Sequence, residues 1–201
     1  MSSLRDRFNQ FTGKTRYVVS RVFVHLSGDE VAPLLGVLNR AGLQAVESEG
    51  DFGVIGEGLV EICQNILQMN AYWQSAANEG NVFWNEGEAG DYFTELYTDS
   101  AQRYLSEPDY NASTDNPNEP LSLPVTRNLV VMIAVAFEGE APDLETNLAD
   151  REALEYGLKT LINLYYQERL LDIQVHFSPA RLGDELNEEQ LLLNFPELVP
   201  V

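Results

Sequence analysis

Apolar residues along this chain fall into two patterns. The first is an unbroken run, residues 125–140, VTRNLVVMIAVAFEGE. It is rich in Val and Ile, follows Pro124, contains Gly139 near its end, and is too short to span a bilayer. It predicts a central strand over 125–138, buried on both faces. Residues 15–27 predict another strand. Its even positions Val18, Val22, Val24 and Leu26 are apolar and are assigned to the core. Its odd positions Tyr17, Val19, Arg21, Phe23 and His25 form a mixed second face. The two strands echo each other. Arg16 to Asp29 and Arg127 to Glu140 carry Arg, Val, Val, Gly and an acid at the same offsets. Two matching strands, each followed by helical sequence, point to two similar halves in one sheet.

The second pattern is helical spacing. Val31, Leu34, Leu35 and Leu38 mark a helix capped by Asp29 and closed by Gly42. A glycine-bearing loop, GDFGVIGEG, follows. Ile55, Leu59, Ile62, Ile66 and Met69 then mark a buried helix in which Cys63 packs as a small apolar residue. Residues 71–84 fit a hairpin or a strand followed by a loop. Residues 86–104 read as a helix with Phe93, Tyr97, Ala101 and Tyr104 on one side. Leu154, Leu158, Leu161 and Tyr165 mark another. Residues 170–177 form a strand, and Asn187 to Gln190 resemble a capping box before a short helix over 188–194.

The expected architecture is α+β: a ferredoxin-like antiparallel sheet of two β-α-β halves, with extra helices inserted in the first half. Two parallel-sheet halves are the alternative. Residues 1–14 read as a polar leader and 15–201 as a single domain. Residues 106–124, rich in Pro, Asn and Ser, read as a mobile linker.

Charge changes the picture. The chain has 12 Lys+Arg against 32 Asp+Glu, a net −20. Phosphate contacts need cations, so a nucleic-acid partner is not expected. Such acidity serves solubility, or it serves a basic protein partner. The polar start carries no signal-peptide core and no window suits membrane insertion, which points to the cytoplasm. One cysteine permits no internal disulfide.

Three stretches together resemble a known family. They are residues 16–29, residues 127–140 with the helix that follows, and the ending IQVHFSPARLGDELNEEQLLLNFPELVPV. They resemble a family of unknown function found in cyanobacteria and chloroplasts. Its members end in a strand, a proline turn, a capped helix and a P-x-L-x-P tail. Those are here residues 173–177, Pro179, 186–192 and 196–200. The resemblance implies a fold and a photosynthetic cell, and it carries no catalytic motif. Many relatives carry a Gly/Arg-rich leader and a membrane segment, and neither is read here.

Candidate chemistry is sparse. Gly53, Gly56 and Gly58 precede a helix start, but their spacing reverses the dinucleotide fingerprint, and Asp51, Glu57 and Glu61 repel phosphate. Asp109, Asn111, Ser113 and Asp115 alternate like a calcium loop, yet Thr114 stands where glycine is required and Pro120 at the twelfth position. His25 and His176 would lie on neighbouring strands of a ferredoxin-like sheet and could share a metal or a proton. Metal sites usually need more ligands, which favours two ordinary face residues. No catalytic, cofactor or metal residue is assigned.

Two function classes follow. The first is a non-catalytic protein-interaction or regulatory module, with a protein partner or self-association. Its contact surface is the sheet face of Tyr17, Val19, Arg21, Phe23, His25, Met132 and His176. Such a face is too apolar to stand bare. A second copy, a partner, or the chain's own leader and middle helices, with Tyr92 and Phe93, would cover it. The second class is a hydrolase-type enzyme using carboxylates from distant segments, such as Glu61 or Asp91.

Overall fold

A computed structural model describes residues 13–103, 126–181, 184 and 186–201. Its centre is the pair of echoing strands. Strand β1 (Tyr17–Ser27) and strand β3 (Asn128–Glu138) pair antiparallel along their whole length, from Tyr17↔Glu138 to Ser27↔Asn128. The echo has a structural meaning. The Gly28 amide donates to the Arg127 carbonyl and the Gly139 amide to the Arg16 carbonyl, both at 2.8 Å. The two Arg-to-Gly segments therefore close on each other reciprocally. Both glycines have positive φ, 149° and 83°, a conformation that glycine adopts without steric cost.

Strand β2 (Trp73–Phe83) pairs with the other side of β1, and β4 (Leu170–Ser178) with the other side of β3. A two-residue β5 (Val199–Pro200) joins the start of β2. The order is β4-β3-β1-β2-β5, antiparallel throughout. Helices α1 (Ala32–Glu47) and α2 (Phe52–Gln68) connect β1 to β2. Helix α3 (Glu86–Gln102) leads from β2 toward β3, α4 (Arg151–Tyr166) connects β3 to β4, and α5 (Glu188–Asn194) precedes β5. Each half is thus a strand, a helical excursion and a return to the neighbouring antiparallel strand.

The class is α+β, as expected, but the arrangement is not ferredoxin-like. That arrangement makes the first and last strands neighbours; here β3 lies between β1 and β4. The echoing strands pair with each other, so both sides of β1 are taken by β2 and β3, and β4 falls to the outer side of β3.

One sheet face packs Val18, Val22, Val24 and Leu26 against α1, α2 and α4. The other packs Val19, Ala134 and Ala136 against Ala89, Phe93 and Leu96 of α3. Beside that contact, Phe23, Val130 and Met132 meet Leu186 and Phe195 of the C-terminal segment. Burial on both faces explains the unbroken apolar run of β3, which needs no polar side.

Several local expectations are corrected. The glycine-bearing stretch is the first turns of α2, capped by Asp51, whose Oδ1 accepts from the Val54 amide at 3.0 Å. Gly56 lets the Tyr165 ring pack at the helix surface, since a Cβ there would lie 2.0 Å from it. Helix α1 runs through Gly42 to Glu47, because Gly42 faces open space and nothing forces a stop. Residues 73–83 form one continuous strand through Asn78-Glu79-Gly80-Asn81. The capping box of α5 is as read, with Asn187 and Gln190 bonding each other's main chain. The linker expected at 106–124, the calcium-like stretch within it and nearly all of the leader lie outside the described residues.

Candidate interaction site

The sheet face named from the sequence is an internal layer. Val19 and Phe23 are fully buried, Arg21 is 2% exposed, Met132 3% and His25 8%, while Tyr17 and His176 are half-buried. The cover is the chain's own: α3, through Phe93, and the C-terminal segment, through Phe195. Of the covers expected for this face, the middle helix is present, and the C-terminal segment joins it. Phe93 signalled the first cover in the sequence. The second was missed, although the apolar residues Leu191, Phe195 and Leu198 were its signal.

Arg21 makes this layer possible. A charge this deep must be paired and fully bonded. Its guanidinium donates to Glu79 Oε1 (3.0 and 2.5 Å), to Ser100 Oγ (2.7 Å) and to the Leu96 carbonyl (2.9 Å), and it pairs with Asp99 at 2.6 Å. Arg103 joins Asp99 (2.9 Å) to the C-terminal segment through the Asn194 carbonyl and the Glu197 carboxylate. Both guanidinium groups lie over the Phe23 ring, at 4.7 and 5.0 Å. The network ties β1, β2, α3 and the tail together. Although burial opposes it, bonding to Arg21 and Arg103 holds the Asp99 carboxyl below its usual range.

The two histidines are not on neighbouring strands. His25 lies opposite Val130 and His176 opposite Met132, on either side of β3. Asn128 Nδ2 donates to the Leu186 carbonyl, so Asn128 Oδ1 is the acceptor that meets His25 Nε2 at 3.2 Å. His25 Nδ1 then accepts from Ser75 Oγ at 3.0 Å. Burial lowers the pKa of His25. It lowers that of His176 too, helped by the Arg21 charge. His176 packs on the Tyr97 ring at 5.2 Å. Each histidine has a structural role.

The two carboxylates considered for hydrolysis stand apart. Glu61, on α2, pairs with Arg40. Asp91 is on α3, across the sheet. Among the described residues no group of three or more His, Cys, Asp or Glu side chains is arranged for a metal, and no helix is long and apolar enough to cross a membrane.

The sheet edges remain. In an antiparallel ladder, alternate residues direct their main-chain groups to alternate neighbours. The Gly28–Arg127 and Gly139–Arg16 bonds fix the phase: even residues of β1 and odd residues of β3 face each other. Even residues of β3 then face β4, and even residues of β4 face back, as in Met132↔His176 and Ala134↔Gln174. The main chain of Ile173, Val175 and Phe177 therefore points away from the sheet. The Ile173 amide donates to Asp172 Oδ1 at 2.9 Å. Among the described residues, no outward hydrogen bond of Val175 or Phe177 is present.

The side chains of these residues enter an apolar groove of about 160 Å³. Leu38, Ala41, Gly42 and Ala45 of α1 wall it, with Val175 and Phe177 half-buried beneath. Small residues on α1 keep it open. Leu43 and Val46, on the same stretch of helix, are 59% and 77% exposed. Sequence reading missed this site. Its signal was Ile173, Val175 and Phe177 alternating on a strand whose only charge is Asp172.

A second apolar recess, of about 280 Å³, lies between α5 and β5 and is lined by Leu191, Leu192, Phe195 and Leu198. The main chain beside it is engaged: the Val201 amide bonds the Gln74 carbonyl at 3.1 Å.

Fold and site together define an α+β domain with a doubly covered five-stranded antiparallel sheet whose β4 edge is uncapped at Val175 and Phe177 among the described residues. The chain belongs to the family described as protein of unknown function (DUF1517), which matches residues 16–201. No curated protein and no solved structure matches it.

Proposed function

We propose that this protein is a non-catalytic protein-interaction module whose β4 edge accepts an added strand from a protein partner. One observation carries the reading: the outward main chain of Val175 and Phe177 lies beside an apolar groove. Unpaired edges attract extended segments, and natural sheets usually blunt them. The contact surface is thus moved from the sheet face to the sheet edge. The resemblance to cyanobacterial and chloroplast proteins supports a photosynthetic cell. The buried thiol of Cys63 suits a reducing compartment such as the cytoplasm. Photo-crosslinking from a benzophenone at Leu171, which is 46% exposed, tests the site. Crosslinks to one recurring partner segment, absent when the probe sits at the exposed Gln74 on the opposite edge, are expected. Equal crosslinking from both edges would refute it.

A further inference from the structure

Resting on that reading of β4, we infer that the added segment is cationic: an extended stretch in which apolar side chains alternate with Lys or Arg. The geometry sets the alternation. A strand bonded to Val175 and Phe177 sends every second side chain toward the α1 groove. The groove is small and apolar and suits residues such as Val or Leu.

Charge sets the remaining positions. Glu47 ends α1, and Glu49 and Asp51 follow in the turn to α2, so they charge the groove's end, where Tyr165 bonds the Gly53 carbonyl. Glu168 stands just before β4, and Asp172, within β4, alternates with Ile173 and Val175 and so stands on the side that the remaining positions face. Among the described residues none of Glu47, Glu49, Glu168 and Asp172 has an ion pair. The nearby cations are engaged: Arg40 by Glu61, and Arg169 by the carbonyls of Glu138 and Glu140. Burial holds the Asp172 carboxyl above its ordinary range, and among the described residues no Lys or Arg pairs with it. The net charge of −20 repels both an acidic segment and a second copy of this chain.

The test uses three fluorescein-labelled peptides of nine residues, the length of β4. One alternates Lys and Val, one alternates Glu and Val, and one is the Lys–Val peptide with its central Val replaced by Pro. Each is titrated by anisotropy against the full chain. The Lys–Val peptide should bind at least about tenfold tighter than either control and weaken as salt rises. Val175→Pro removes only an outward amide, as edge strands tolerate. Gly42→Leu fills open space at the groove and favours helix, so it folds even if the first variant does not. Each should weaken the Lys–Val peptide about tenfold or more, with circular dichroism unchanged.

Equal or tighter binding of the Glu–Val peptide overturns the cationic inference and leaves the edge reading standing. Equal binding of the Pro peptide means surface attraction alone and overturns both. No peptide bound, with a dimer in sedimentation that Val175→Pro dissociates, makes a second copy the occupant and overturns the inference only. No peptide bound by a monomer overturns both.

Discussion

The two edges of the sheet are strands of similar length, finished in opposite ways. β2 is covered at both ends and near its middle, with the Gly80 main chain exposed between. β5 bonds it at Ser75, Ala76 and Gln74. The Asn78 side chain holds the loop after β3, donating to the Thr146 carbonyl and accepting from the Leu148 amide, both at 2.8 Å. The Val82 amide is taken by Asn81 Oδ1, and Glu79 adds a partly exposed charge. Among the described residues β4 has one such device, Asp172 on the Ile173 amide, and leaves Val175 and Phe177 open. A protein that needed only to avoid aggregation would have blunted both edges alike. The asymmetry is what makes β4 the candidate contact surface.

The comparison can be broken most strongly at the tail. Phe195 is 2% exposed and anchors the segment that carries β5. Phe195→Ala should cost about 3–5 kcal/mol in urea unfolding, and it should raise hydrogen exchange along β2 while leaving β4 unchanged. Exchange unchanged along β2 would mean that β5 closes the edge without its anchor. Asn78→Ala should cost less, about 1–3 kcal/mol, since it strands the loop groups that Asn78 satisfies.

A smaller effect should come from pH. Burial lowers the pKa of His25 and His176 below 6.5. Just below that value the unfolded chain binds more protons than the folded one. Their contribution is full above 6.5 and is lost as pH falls. Asp172, raised by burial, opposes this, while Asp99 and Glu145, held low, add their losses below about 4.5. The melting temperature should drop between about pH 7.5 and 5.5, and His25→Gln should shrink that drop. A drop unaffected by the substitution would place its origin elsewhere. The smallest change in stability should be that of Val175→Pro, within about 1 kcal/mol. A larger loss would show that this amide faces β3 and would invert the assigned phase.

The sequence made some of this readable and hid the rest for physical reasons. The strand pair, the helical faces and the α5 capping box were readable, because burial imposes a period on residues such as Val18, Val22 and Leu59. Strand order was not. It depends on how the two echoing strands meet, and the Arg16–Gly139 and Arg127–Gly28 closures are long-range bonds. The mixed face of β1 was read as a surface because Arg21 and His25 look like surface residues. Their partners come from Ser100, Asp99, Asn128 and Ser75, all distant in sequence. The glycines of α2 signalled a loop because a helix rarely carries three; Tyr165, which packs at Gly56, is over a hundred residues away.

Backbone hydrogen exchange followed by NMR tests the open edge most directly. On β4 the amides of Gln174 and His176 should be strongly protected, while those of Val175 and Phe177 exchange near the rate of an unstructured chain and become protected when a strand is added. On β2 the Val82 amide should be protected in the free protein. Strong protection of Val175 and Phe177 in the free protein would mean that the edge is already closed, and would contradict the account.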